Sequence, residues 1–153
     1  MWPLYSLMMK EILNIPVKGK KILDVGCGTL ILGILCSMKE ATEIIGLDND
    51  QQAIDSAKEN LLLNRVENIR LLAGELQDLK ERDFDIILAN INLNYIISHM
   101  PDFAELIKPG GTIICSGFFK SDLSRLEATI SEAELILDHN RSDNKWVVCV
   151  LTK

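Results

Sequence analysis

Apolar residues in this chain fall into short runs that stop at a polar residue, and between the runs they recur at helical spacing. Residues 21–25, 43–47, 69–73, 84–89 and 112–116 are five such runs. They are too short for helices and apolar enough for strands covered on both faces. Residues 29–38 are apolar almost all round, which predicts a helix packed on two sides. Ala53, Ala57 and Leu61 recur every four residues behind Asp50, a natural N-cap, and Asn64 suits the far end of that helix. Leu7, Met8, Glu11 and Ile12 predict a first helix over residues 7–13, stopped by Pro16 and Gly19. Tyr95, His99 and Phe103 continue the helical period into Leu106 and Ile107, with Pro101 dividing the stretch into two short helices or one kinked helix. Residues 77–83 are polar and support at most a short helix.

Toward the C-terminal side, Lys108-Pro109-Gly110-Gly111 predicts a turn. Leu123, Leu126 and Ile130 mark an amphipathic helix with Ser121 at its N-cap. Residues 135–139 and 146–151 predict two final strands joined through the polar residues 140–144 as a hairpin. Strand and helix thus alternate before a terminal hairpin. The expected fold is α/β: a three-layer, Rossmann-like, seven-stranded sheet, mostly parallel with a C-terminal antiparallel hairpin, forming one domain over residues 1–153. Sheets of this kind bind ligands beyond the carboxyl ends of their strands. Asp24, Asp48, Glu75 and Asn90 stand at those ends, each where an apolar run stops.

Composition narrows the classes of function. The chain has 153 residues, 48% hydrophobic and 25% charged, as an ordinary globular protein does. Its net charge is −6, and no Lys/Arg cluster supplies the electrostatic footprint of extended nucleic-acid binding. Cys27, Cys36, Cys115 and Cys149 are widely spaced, form no C-x-x-C pair, and sit in apolar runs. Zinc spacing is absent, and the thiols are expected to be reduced and buried, as in a cytoplasmic protein. No apolar run reaches the ~18–20 residues of a membrane span. The first nine residues lack the basic region and cleavage site of a signal peptide.

The first strand runs into Asp24-Val25-Gly26-Cys27-Gly28, a Gly-rich turn that leads to the apolar helix. A glycine there lets backbone approach a ligand where a Cβ would collide. A dinucleotide loop needs G-x-G-x-x-G, and the third glycine position holds Ile31. A carboxylate two residues before the turn would repel a diphosphate and favours a cationic ligand. S-adenosylmethionine, with its ammonium and sulfonium, fits that charge. Asp48, about twenty residues on, is placed to accept from ribose hydroxyls. Glu75 can accept from the adenine amino group or face water.

Asp24-Val25-Gly26-Cys27-Gly28, Gly46-Leu47-Asp48, Gly74-Glu75 and Lys108-Pro109-Gly110-Gly111 resemble, in order, the motifs of class I S-adenosylmethionine-dependent methyltransferases. Ala89-Asn90-Ile91, Ser116-Gly117 and the closing Lys145-Trp146-Val147 resemble one subfamily, the bacterial ribosomal protein L-eleven methyltransferases. The resemblance implies cofactor contacts at Gly26, Asp48 and Asn90, with Asn90 orienting the acceptor or gripping the methionine moiety. Asn92 is a weaker candidate. Three departures accompany it. Leu30 stands where the family has a third loop glycine. Of the family's Phe-Gly-Thr-Gly-x-His-Pro-Thr-Thr segment only Pro3 remains. The family's substrate-recruiting N-terminal domain has no counterpart in these residues.

The expected activity is S-adenosylmethionine-dependent methyl transfer to an amine of a protein, a ribosomal one by the resemblance, with Asp24, Gly26, Gly28, Asp48, Glu75 and Asn90 holding the cofactor and Asn90 at the reacting centre. The alternatives are a methyltransferase of small-molecule amines and a cofactor-binding domain without catalysis. His99 and His139 are expected to be partly exposed and without partners at triad or metal spacing, and Cys27 a small filler. Trp2 and Tyr5 are expected either to cover the cofactor or to pack as ordinary apolar residues.

Overall fold

The computed structural model describes residues 2–153, with side chains from Tyr5 onward. Along the chain lie α1 (Trp2–Asn14), β1 (Lys21–Val25), α2 (Ile31–Met38), β2 (Glu43–Asp48), α3 (Gln51–Asn64) and β3 (Ile69–Ala73). They are followed by β4 (Phe84–Asn90), α4 (Leu93–Ser98), α5 (Met100–Leu106), β5 (Ile107–Phe119), α6 (Leu123–Glu132), β6 (Ile136–Asp143) and β7 (Trp146–Thr152). One sheet of seven strands has the order β3-β2-β1-β4-β5-β7-β6. Pairings from β3 through β5 are parallel, and β7 pairs antiparallel with both β5 and β6.

The strands alternate between two apolar layers, as the pleat requires. Leu23, Val25, Ile45, Leu47, Ile87 and Ala89 face α4, α5 and α6, packing with Ile96, Phe103 and Leu126. Ile22, Ile44, Ile86 and Leu88 face α1, α2 and α3, packing with Met8, Ile12, Leu32 and Ile54. By the same alternation Asp24, Asp48 and Asn90 are in phase with the α1–α3 layer, and there the apolar run of each strand gives way to a polar residue.

Several local expectations are corrected. The first helix begins at Trp2 rather than Leu7. Residues 29 and 30 precede α2: Leu30 is its N-cap residue, in the left-handed region at φ 66°. Asp50 caps α3 by accepting from Gln52 N. The polar stretch after β3 holds a 3₁₀ turn at Leu76–Asp78. Pro101 does divide two helices, and it sits in the first turn of α5, where its missing N–H costs nothing. Lys108–Gly111 does not end a turn ahead of the strand but bulges out of β5, between the pairs Phe84–Ile107 and Ile86–Thr112. Ser121 does not cap α6; it lies in a 3₁₀ turn, Lys120–Asp122, and Asp122 takes the cap position without a side-chain hydrogen bond. β6 continues through the polar residues to Asp143 and turns at Asn144 and Lys145, with Asn144 at φ 53°. An edge strand accepts polar residues that an interior strand would not.

Candidate functional site

Asp24, Gly26, Gly28, Asp48, Glu75 and Asn90 come together at the carboxyl ends of β1 to β4. The turn after β1 has Gly26 and Gly28 at φ 63° and 53°. A Cβ on Gly26 would lie 2.3 Å from Ile91 Cγ2, whereas one on Gly28 would meet nothing within 4 Å. Gly26 therefore admits a neighbouring side chain, and Gly28 leaves open space over the loop. Asp48 fixes this loop. Its Oδ2 accepts from Gly28 N at 2.9 Å and its Oδ1 from Asp50 N at 3.0 Å. Each carboxylate oxygen keeps a second lone pair for a hydroxyl donor.

Asp24 is 2% exposed, and its Oδ2 accepts from Gly33 N of α2 at 3.1 Å. Burial, only partly offset by that hydrogen bond and reinforced by the Asp48 charge, pushes its carboxyl up to about 7. It is thus a buried carboxyl that holds the first turn of α2 and whose ionised form burial disfavours. Tyr5 of α1 is half-buried against the same layer, within electrostatic reach of Asp24 and Cys27, and burial together with those two groups raises its phenol. The side chain of Trp2 lies outside the described residues.

Leu30 does not crowd the cleft. It is fully buried, and its Cδ1 occupies the space that a Cβ on Gly33 or Gly46 would need, at 2.9 and 2.7 Å. The leucine in place of a third loop glycine points into the core between α2 and β2.

Asn90 closes β4. Its Oδ1 is buried and has no hydrogen-bond partner. An orphaned buried acceptor costs about 1–3 kcal/mol, and this one ends the strand that pairs with β1, which runs into the Gly-rich loop. Its backbone is held firmly: Ile91 N donates to Ser116 O at 3.2 Å, and Ser116 Oγ donates to Val147 O at 2.7 Å. Gly117, at φ 105°, lies so close that a Cβ would stand 2.1 Å from Ile91 O. Ile91, which sequence reasoning noted only as part of a motif, is the wedge between Gly26 and Gly117 that sets the height of Asn90. Asn92 caps α4 by accepting from Tyr95 N at 3.0 Å, so it serves the helix rather than the cleft.

Glu75 is clamped. Its Oε1 accepts from Asn49 Nδ2 at 2.7 Å, and its Oε2 lies 3.4 Å from Tyr95 Oη. His99 stacks on Tyr95 with ring centroids 3.9 Å apart. His139 has partners that its sequence position gave no sign of. Its Nε2 lies 3.0 Å from Oε2 of Glu11 and its Nδ1 2.6 Å from Oδ2 of Asp138. Burial, first of all causes, raises the Cys27 thiol and pushes Cys36 up to about 12, which disfavours the thiolate of each. All four cysteines are free and buried, with Cys115 and Cys149 directly opposite each other on β5 and β7. Among the described residues no group of three His, Cys, Asp or Glu could hold a metal ion, and no helix is long and apolar enough to cross a membrane.

A family model described as ribosomal protein L11 methyltransferase (PrmA) matches residues 6–153. A ribosomal protein L11 methyltransferase of Phocaeicola vulgatus is 37% identical over 142 residues, covering 92% of this chain and 50% of that protein. One from Bacteroides thetaiotaomicron is 34% identical over 148 residues, covering 96% and 53%. The chain spans about half the length of the curated relatives it matches. Among solved structures, a ribosomal protein L11 methylase of Lactobacillus delbrueckii superposes with a TM-score of 0.92 at 26% identity, over 97% of this chain and 77% of that one. An S-adenosylmethionine dependent methyltransferase of Mesorhizobium loti shares the fold at a TM-score of 0.79 and 13% identity, over 95% of each chain.

Proposed function

The chain belongs to the ribosomal protein L11 methyltransferase family, and on that premise we propose that it transfers a methyl group from S-adenosylmethionine to an amine of a protein, with ribosomal protein L11 as the acceptor. The buried, unpartnered Oδ1 of Asn90 is the observation that carries this reading. The residues at the cleft fit the cofactor. Gly28 leaves the loop open, Gly26 lets Ile91 pack against the turn, Asp48 offers its free lone pairs to the ribose hydroxyls, Glu75 accepts from the adenine amino group, and Asp24, when ionised, adds negative charge beneath the loop. When bound, the cofactor contributes an activated methyl group on a sulfonium.

The protein's task is then positioning. Asn90 Oδ1 accepts a hydrogen bond from the acceptor amine and turns its lone pair toward the cleft. An amide cannot act as a base, so the amine gives up its proton to water. A cytoplasmic location, where ribosomal proteins are found, belongs to the same reading.

Asn90→Ala separates function from folding. Removing an orphaned acceptor relieves a desolvation penalty rather than breaking a bond. The variant is expected to keep or slightly raise its melting temperature while methyl transfer to extracted ribosomal proteins falls by about 100-fold or more, the scale of a positioning loss. A lowered melting temperature with matching loss of activity would assign Asn90 to the fold alone. Calorimetric titration of the wild type with S-adenosylmethionine tests the cofactor itself. Absence of binding at millimolar concentration overturns the methyltransferase reading. Binding without transfer to any ribosomal protein overturns the acceptor and leaves small-molecule amines or a non-catalytic role.

Asp24 adds a pH signature. Burial pushes its carboxyl up to about 7, and a cationic ligand prefers it ionised. Cofactor affinity is therefore expected to rise as pH climbs toward and through 7, and Asp24→Asn should flatten that rise.

A further inference from the structure

The clamp on Glu75 is more elaborate than a solvated turn carboxylate needs. Its backbone is fixed twice: Glu75 N donates to Asp78 Oδ2 at 2.9 Å, and the preceding Gly74 N donates to Asp48 O at 3.0 Å. Its carboxylate is approached from two further elements. Asn49, next to Asp48, donates to Oε1, and Tyr95 of α4 reaches Oε2 from the far side of the β4 turn. Tyr95 is itself held in place. Its N–H bonds the Asn92 cap, its ring stacks on His99 at an interplanar angle of 16°, and its carbonyl lies 3.0 Å from His99 Nδ1. Burial first, then Glu75, raises the Tyr95 phenol to about 12, so it remains a protonated donor at every working pH.

The strand order says what the clamp faces. With ribose on Asp48 at the end of β2 and the reacting end toward Asn90 on β4, the base must extend outward over β3, where Glu75 stands. We infer that Tyr95, through its hydroxyl on Glu75 Oε2, is a positioning residue that sets the carboxylate to read the exocyclic amino group of adenine. The inference rests on the cofactor reading above and adds to it the residue on which recognition of the base depends. The chain Asn49–Glu75–Tyr95 ties the ends of β2 and β3 to the helix that follows the Asn90 turn. The 3.4 Å separation at Tyr95 is longer than the about 2.7–2.8 Å of a closed O–H···O bond, as site hydrogen bonds often are before a ligand arrives.

A purely structural latch would affect any ligand of the cleft equally, whereas a positioning residue affects only ligands carrying the amino group. The experiment compares S-adenosylhomocysteine with its purine riboside analogue, in which hydrogen replaces that amino group, by calorimetry on the wild type and on Tyr95→Phe. The dissociation constant for the adenosyl compound is expected to rise roughly 3- to 10-fold while that for the analogue stays unchanged. In a Glu75→Ala background Tyr95→Phe should have no further effect on either. Equal weakening of both ligands, no weakening of either, or a persistent Tyr95 effect without Glu75 overturns the assignment. A wild type that binds neither compound is a different failure: it overturns the cofactor reading first, and the role of Tyr95 with it.

Discussion

Leu30 occupies a conformation that costs a residue with a Cβ about 1–2 kcal/mol, and it recovers that cost by burying a whole side chain worth about 1.5–3 kcal/mol. Gly33 and Gly46 make this workable, since each lacks the Cβ that would collide with Leu30 Cδ1. Leu30→Gly should therefore lower stability by roughly 1–4 kcal/mol in urea unfolding, the loss of a buried leucine less the relieved strain. Cofactor affinity should stay within about twofold, because the side chain faces the core; clearly tighter binding would show that it crowds the ligand after all. Asp48→Ala acts on the cleft instead. It removes the acceptor for Gly28 N and Asp50 N, and cofactor binding should weaken by roughly 1.5–3 kcal/mol by calorimetry. That Asp24, Asp48, Glu75 and Asn90 stand at or just past strand ends was legible in the sequence, because a polar residue at the end of an apolar run is visible in one dimension. The direction of Leu30 was not, because it depends on a backbone angle and on two glycines elsewhere in the chain. Nor was the depth of Asp24, which needs α2 folded over it.

At the scale of elements, α1 is fastened at both its middle and its end. Lys39 donates to the carbonyls of Ile12, Leu13 and Ile15 at 2.6–3.0 Å, satisfying groups that a helix C-terminus leaves open. Glu11, 1% exposed, faces β6, where His139 Nε2 meets Oε2 and Arg141 Nε comes within 2.6 Å of Oε1. Asp138 first, and then Glu11, raises the His139 imidazole. A raised base stabilises the fold fully below its unfolded value of about 6.5 and loses that contribution as pH rises through the higher folded value. Urea midpoints measured at rising pH above about 6.5 should decline, and His139→Gln should remove that part of the decline. An unchanged slope in the variant would show that the imidazole carries no stabilising charge. Helical spacing marked Glu11 as part of α1, and alternation placed His139 on a strand, but the two are 128 residues apart in sequence, and no local pattern joins them. The close approach of Ile91 to Gly117 was equally hidden. It appears only once Ile91 is seen filling the space that a Cβ would occupy.

For the whole molecule, strand alternation and the closing hairpin were enough to anticipate a mostly parallel seven-stranded sheet, since right-handed crossovers leave few ways to arrange such a pattern. The clearest global test is ligand-linked stability: cofactor at about 100 times its dissociation constant should raise unfolding free energy by about 2.7 kcal/mol. The sheet order carries one more consequence. β7 is the last strand along the chain yet lies inside the sheet, between β5 and β6, and α1 packs against it from the other end of the sequence. During synthesis, β5 therefore waits with an unpaired edge, and α1 without much of its seat, until residues 146–152 have been made. The growing chain is in this respect a sheet with its seam left open, exposed to wrong pairing and in need of protection. The sheet is complete only when β7 has entered between β5 and β6.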